Sequence, residues 1–164
     1  MKTGMLLIAL ALTLAAQPVP ELLFSAKGPI RIGTKTVPVR LVPVARIATP
    51  PSDLPPPPFA FALPMKIHLI LKGLRAEEPS GLVYHIYLGW EVVPENQEAR
   101  QSRLLGYFNF YNVDQSRRSL DITAALRNTL PPLDRGLNIS ILPAGAPEAG
   151  AVVVIGGIDL VVTR

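Results

Sequence analysis

The chain has 164 residues, which is enough for one domain with a hydrophobic core and too few for two ordinary domains. It contains no cysteine, which excludes a cysteine nucleophile, an iron–sulfur cluster, a zinc site with thiolate ligands and a blue-copper centre. The net charge is only +4 and no extended run of basic residues is present, which argues against a nucleic-acid-binding protein.

The first 17 residues have the layout of a secretory signal peptide. Lys2 provides a charged start, residues 5–14 form an apolar run, and the small residues Ala15 and Ala16 follow it. The apolar run is shorter than the roughly 20 residues that cross a bilayer as a helix. We therefore expect cleavage after residue 16 and a secreted or periplasmic mature protein, residues 17–164, with no membrane span. Retention of the segment as an anchor is the alternative.

Strands are predicted along most of the mature chain, because apolar and polar residues alternate with a period of two. Ile67, Leu69 and Leu71 share one face of residues 65–71. Residues 82–90 are apolar on both faces, which indicates a central strand. Further strands are predicted at residues 22–26, 36–44, 104–111, 137–142, 151–155 and 158–163.

Prolines and glycines refine this pattern. Pro38 and Pro43 place the strand at residues 36–44 on a sheet edge, since proline has no N–H to donate. The pair Gly156–Gly157 indicates a tight hairpin or a bulge between the last two strands. Residues 50–64 include four successive prolines, which favour an extended linker between two groups of strands.

One short helix is predicted, with Asp121 or Thr123 as its cap and Arg127 near its end, because Pro131 and Pro132 stop it. About eight short strands and almost no helix predict an all-β fold. We expect an antiparallel β-sandwich, jelly-roll-like, that forms a single domain with the proline-rich linker inside it.

Charge is distributed unevenly. Residues 17–76 contain eight lysines and arginines against only Glu21 and Asp53. This half of the chain can present a positive face to an acidic partner, or the excess is ordinary solvated surface.

Candidate catalytic and metal-binding residues are few. Any site that needs imidazole must use His68 or His85. If residues 65–71 and 82–90 form a hairpin, these two side chains stand opposite each other, but two ligands are too few for zinc or copper. No serine lies in a Gly-x-Ser-x-Gly setting and no phosphate-binding loop is present. We therefore predict no enzyme, no cofactor and no metal centre.

Five segments, in their order along the chain, resemble the C-terminal β-domain of tyrosinases and polyphenol oxidases. They are Val83–Leu88, residues 105–110, residues 119–123 with the short helix that follows, Leu137–Pro143, and residues 154–158. The resemblance implies a β-sandwich that packs over a copper-binding domain, blocks access to its site and assists its maturation. Family enzymes hold two coppers through two sets of three histidines on a helical bundle, and this chain has neither.

The resemblance therefore implies a free-standing accessory module that binds or shields a protein partner, such as a separately encoded copper oxidase. An aromatic side chain would act as a plug, and the candidates are Phe59, Tyr107 and Tyr111. For Tyr107 and Phe108, however, core packing is expected, since large aromatics in strands usually bury their area. Two other hypotheses stay open: an envelope β-sandwich whose edge strands pair with other proteins, and a weak copper carrier that uses His68, His85 and one of Met1, Met5 or Met65.

Overall fold

The computed structural model describes residues 20–44, 65–77, 81–89, 96–110, 116–128, 136–146 and 151–163. The strands in these ranges are β1 (Glu21–Ile32), β2 (Val37–Pro43), β3 (Lys66–Lys72), β4 (Arg75–Ala76), β5 (Val83–Leu88), β6 (Leu104–Asn109), β7 (Arg117–Asp121), β8 (Leu137–Pro143) and β9 (Val153–Thr163). Two short helices, α1 (Gln97–Arg103) and α2 (Thr123–Asn128), accompany them. The predicted signal peptide and the proline-rich linker lie outside the described residues.

All the described ladders are antiparallel and join the strands in the order β6-β5-β8-β2-β1-β9-β3-β7, with β4 added beside β9. The two ends of this path approach each other, because a Cβ built on Gly106 of β6 would lie 3.3 Å from the side chain of Leu120 on β7. The sheet is therefore nearly closed. The predicted all-β, antiparallel class is confirmed.

The sheet folds into two layers that enclose one core. The first layer consists of β1, β9, β3, β4 and β7, and the second of β2, β8, β5 and β6. Alternate residues of each strand point inwards, as the period of two requires. The fully buried members of the core include Ile67, Leu69, Leu71, Tyr84, Ile86, Ile139, Ile141 and Leu160. Burial of these side chains is the main stabilising contribution, since no disulfide is available.

Strand β9 is the centre of the first layer and is paired along both of its edges. One edge pairs with β1, and the other pairs with β3 and then with β4. The predicted break at Gly156–Gly157 is therefore wrong, because the last two predicted strands are one continuous strand. A bulge does occur there, but in the partner: Gly28 and Pro29 of β1 together oppose Gly156.

Glycines permit a close approach of three backbones at this bulge. A Cβ on Gly28 would lie 2.5 Å from the carbonyl oxygens of Ile155 and Gly156, and a Cβ on Gly156 would lie 3.3 Å from Cα of Gly73. Gly73 follows β3 in a left-handed conformation (φ 59°), and its carbonyl accepts a hydrogen bond of 3.3 Å from the Gly156 N–H. We call Gly28, Gly73 and Gly156 the glycine junction. Only residues without a side chain fit at such a crossing.

Strand β2 lies between β8 and β1 in the strand order, so it is not an edge strand of the whole sheet, and the predicted edge position holds only for residues 37–41, which pair with β8 alone in the described ladders. Its residues 37–41 pair with β8, and its last two residues, Val42 and Pro43, pair with β1. It thus joins the two layers. Pro38 is tolerated because its part of the strand belongs to the β8 ladder and not to a β1 ladder.

The predicted short helix is confirmed as α2. Asp121 Oδ1 accepts hydrogen bonds from the Thr123 N–H (3.0 Å) and hydroxyl (2.6 Å), which fixes the start of the helix. Thr123 Oγ1 also accepts a 2.8 Å bond from the Ile67 N–H, which ties α2 to β3. Helix α1, β4 and β7 were not predicted. Helix α1 has no apolar stripe, and it is held by its Asn96 cap, which accepts from the Glu98 N–H at 2.9 Å.

Asp159 connects three strands on the outer face of the first layer. Its carboxylate accepts a 2.9 Å hydrogen bond from Ser25 of β1 and lies 2.7 Å from the Lys72 ammonium of β3. In the described part of the chain, neither helix is long and apolar enough to cross a membrane.

The glycine junction generates a first prediction. Replacement Gly28→Ala should lower the free energy of unfolding by about 2 kcal/mol or more, because the new methyl group meets two backbone oxygens that cannot rotate away. Urea denaturation measures this change. Gly33→Ala is the matched control, since a Cβ there meets nothing within 4 Å, and it should leave stability unchanged or raise it slightly. Equal stability of the two variants would contradict the role given to the junction.

Candidate functional site

The two histidines do not form a joint site. His68 lies on β3, which pairs with β7 and β9, whereas His85 lies on β5, which pairs with β6 and β8. The hairpin considered for these two strands does not form, because each lies in the middle of a different layer and is paired along both edges with other strands. Phe59 and Tyr111 lie outside the described residues.

The outer face of the second layer carries the most exposed aromatic side chain of the described residues. Tyr107 of β6 is 64% exposed. The expectation that it packs in the core is wrong, while Phe108 is buried as expected. Successive residues of a strand point to opposite faces, so only one of these two neighbours can point inwards. Phe108 takes that position and stacks on Tyr84 with 5.4 Å between ring centroids.

Three strands place a row of side chains beside Tyr107. His85 is its direct partner on β5, and Leu142 of β8 is the next residue in the same row. Tyr87 lies two residues along β5 on the same face and contacts the His85 ring, with centroids 5.9 Å apart. We call Tyr107, His85, Tyr87 and Leu142 the Tyr107 face. It presents the exposed phenol of Tyr107 beside the partly buried His85 and Leu142 and the buried Tyr87.

The His85 imidazole is held in a defined orientation on this face. Its Nδ1 lies 3.2 Å from the hydroxyl oxygen of Tyr87, a hydrogen bond whose donor depends on the tautomer. Burial lowers the pKa of His85 below its usual 6.5. The ring is therefore neutral at neutral pH, and the face carries no charge from it.

A second group of polar side chains surrounds His68 on the outer face of the first layer. Ser119 Oγ lies 3.4 Å from His68 Nδ1, and Asp121 is the direct partner of His68 across the β3–β7 ladder. The sequence did not reveal this group, because β7 was not predicted. Its pattern of one charged or polar residue after another resembles a loop.

A serine, a histidine and an aspartate thus share one face, but their geometry is that of a helix cap. Hydrogen bonds from the Thr123 side chain and backbone lower the pKa of Asp121, with smaller contributions from the charges of His68 and Lys66. A catalytic triad needs a carboxylate that orients the imidazole. The Asp121 Oδ1 atom instead accepts both bonds from Thr123. Among the described residues, no three His, Asp or Glu side chains are arranged to hold a metal ion.

Comparison with known proteins gives a likeness at the level of the fold. No protein-family model matches the sequence, and no curated protein matches it either. The solved structure of latent apple tyrosinase superposes with a TM-score of 0.52 at 13% sequence identity. The match covers 84% of this chain and only 28% of the apple protein. The nearly closed β-fold is thus similar to part of a tyrosinase, which agrees with the family resemblance of the sequence motifs.

The lowered pKa of His85 generates a prediction about stability. In the unfolded chain this histidine binds its proton at a higher pH than in the fold, so the unfolded state gains protons first as the pH falls below about 6.5. The free energy of unfolding should therefore decrease between about pH 7.5 and pH 5.5. The Asp121 contribution is lost only at lower pH, below about 3.8.

Urea denaturation at several pH values tests this prediction, with proton NMR of the histidine ring as the direct readout. His85→Gln should show a smaller loss of stability over the same interval. Tyr87→Phe is the control, because it removes the hydroxyl but keeps the ring that buries His85, and the His85 pKa should stay below 6.5. A wild-type His85 that titrates at or above 6.5 would contradict the prediction.

Proposed function

We propose that this protein is a secreted, non-catalytic accessory module that binds and shields a copper oxidase of the tyrosinase kind. Two observations support the proposal: the likeness of the fold to part of a latent tyrosinase, and the order of the sequence motifs that resemble the family's C-terminal domain. The observation that carries it is the exposed Tyr107 on a paired strand. In this proposal the partner catalyses the oxidation of phenols, and this protein covers the partner's active site.

Tyr107 has the properties of an interface anchor. Tyrosine combines a large apolar ring with one polar tip, and it is enriched among the residues that dominate binding energy. Here the ring is carried by a strand paired with β5 and not by a loop, so little backbone freedom is lost on binding. Such a side chain can enter the opening of a partner's active site while the strand behind it stays rigid.

The surroundings of Tyr107 fit the same role. Leu142 and His85 are partly buried and provide an uncharged platform next to the exposed ring. Interface centres are typically depleted of charge and surrounded by a polar rim. The platform excludes water around the anchor, and this raises the contribution of the buried phenol to binding.

The test is a pull-down and an activity measurement with any tyrosinase-type copper oxidase that is encoded near this gene. The wild-type module should bind the oxidase and lower its rate of phenol oxidation. Tyr107→Ser should weaken binding by about tenfold or more, since anchor residues contribute about 2 kcal/mol or more. Its urea midpoint should stay that of the wild type, because the side chain is exposed.

Leu22→Ser is the matched control. Leu22 is also an exposed apolar residue, at 37%, but it lies on β1 of the other layer. It should leave both binding and inhibition unchanged. A module that neither binds the oxidase nor changes its rate would refute the proposal. If the protein instead forms oligomers whose size increases with concentration, the result would favour an envelope β-sandwich whose edge strands pair with other proteins.

A further inference from the structure

A cleft opens where the two layers separate. Among the described residues, the registered pairs between β1 and β2 are Phe24 with Pro43 and Ser25 with Val42. Beyond them, β1 follows β9 and residues 37–41 of β2 follow β8, so the two strands diverge without a shared ladder. The cavity between them has a volume of about 620 Å³.

The surface of the cleft combines apolar and basic groups. Its apolar surface comes from Ala26 and Ile30 of β1 and Val39 and Val42 of β2. Lys27 and Arg40 add two positive charges, and the described residues that line the cleft include no carboxylate. Val42 is 52% exposed, which is unusual for a large aliphatic side chain on a paired strand. The cleft belongs to the basic part of the chain, residues 17–76.

We propose that the cleft between β1 and β2 binds an extended acidic segment of a partner protein, which adds beside β2 as a further strand. In the described ladders, residues 37–41 of β2 pair with β8 alone, and an extended peptide can add to the other edge of such a strand by β-strand addition. Successive side chains of that peptide point to opposite sides. Apolar residues at every second position would contact Ala26 and Val39, which point to the inner side of their strands, and acidic residues between them would meet the exposed Lys27 and Arg40.

Charge complementarity selects this occupant over a second copy of the chain. A second copy would bring its own Lys27 and Arg40 towards the first pair if it docked through the same surface, and like charges at an interface are unfavourable. The carboxylates of an acidic strand would instead be attracted to Lys27 and Arg40. The inference is independent of the proposed function, because the cleft and the Tyr107 face lie on different strands.

The first experiment uses fluorescence anisotropy with a labelled nine-residue peptide that alternates glutamate and valine. The peptide should bind, and its Kd should rise several-fold between about 50 mM and about 500 mM salt, since exposed charges are screened. A peptide with lysine in place of glutamate should bind at least about tenfold more weakly. A glutamate–valine peptide with N-methyl groups at alternate residues should also lose affinity, because it cannot complete a ladder.

Variants locate the binding surface. The double variant Lys27→Glu/Arg40→Glu should weaken binding of the acidic peptide by about tenfold or more. The charge-matched control Lys66→Glu/Arg117→Glu lies on β3 and β7 and should bind as the wild type does. Val42→Glu tests the same cleft from its exposed rim, and it keeps the proposal testable if the first double variant fails to fold. In hydrogen exchange, the peptide should protect amides among residues 37 and 39–41, since Pro38 has no N–H.

Three results would overturn the proposal. The first is no binding of the acidic peptide up to about 1 mM. The second is that the lysine peptide or the N-methylated peptide binds as tightly as the glutamate–valine peptide. Binding would then not depend on charge in the first case, or on a hydrogen-bonded ladder in the second. The third is a dimer of the protein alone, detected by sedimentation, that Val42→Glu dissociates; the occupant would then be a second copy.

Discussion

Strand β9 determines where the rest of the sheet can go, because ladders hold it along both edges and a fully buried core lies under it. Its neighbours must approach closely at Gly156, where β1 and the turn after β3 cross. Side chains would force them apart, so Gly28, Gly73 and Gly156 make the approach sterically feasible. The bulge at Gly28 and Pro29 lets β1 bend and stay paired with β9 for nine registered positions in spite of the crossing.

This bend has a consequence on the opposite edge of β1. The bend carries the rest of β1 along β9 and away from residues 37–41 of β2, so on this side the described β1–β2 pairs end at Ser25 and Val42. Strand β2 completes its hydrogen bonds with β8 instead and becomes the link to the second layer. The near closure of the sheet and the opening between β1 and β2 are therefore two results of one constraint. The cleft is a built feature of the fold and not a surface irregularity.

The class of the fold could be predicted from the sequence, but the pairing of the strands could not. The period-two alternation at Ile67, Leu69 and Leu71 predicts which face of the strand is buried, and this prediction does not depend on which strand pairs with it. Pairing depends on contacts between residues far apart in sequence: His68 meets Asp121 and Val161, and His85 meets Tyr107 and Leu142. A sequence pattern that reports only on nearby residues instead suggests pairing between strands that follow each other in the chain, such as residues 65–71 and 82–90. A pattern of this kind also indicates a break at Gly156–Gly157, since a close crossing and a turn both require glycine.

The candidate site shows the same limit at the level of one residue. Tyr107 and Phe108 are both aromatic and both suit a strand, so composition cannot tell which one is buried. The register with β5 decides it: Phe108 lies opposite the buried Tyr84, and Tyr107 lies opposite the outward His85. Exposed anchors of this kind become visible only when the ladder is known.

Tyr107 and the cleft lie on separate parts of the sheet, with β5 and β8 between β6 and β2. One exposed aromatic gives a limited binding energy, and so does one added strand. Contacts at both surfaces by one partner reinforce each other, because the first contact raises the local concentration of the second. The rigid, doubly paired strands between them keep the spacing of the two surfaces constant. A partner that matches this spacing gains affinity from geometry, and one that matches only a single surface does not.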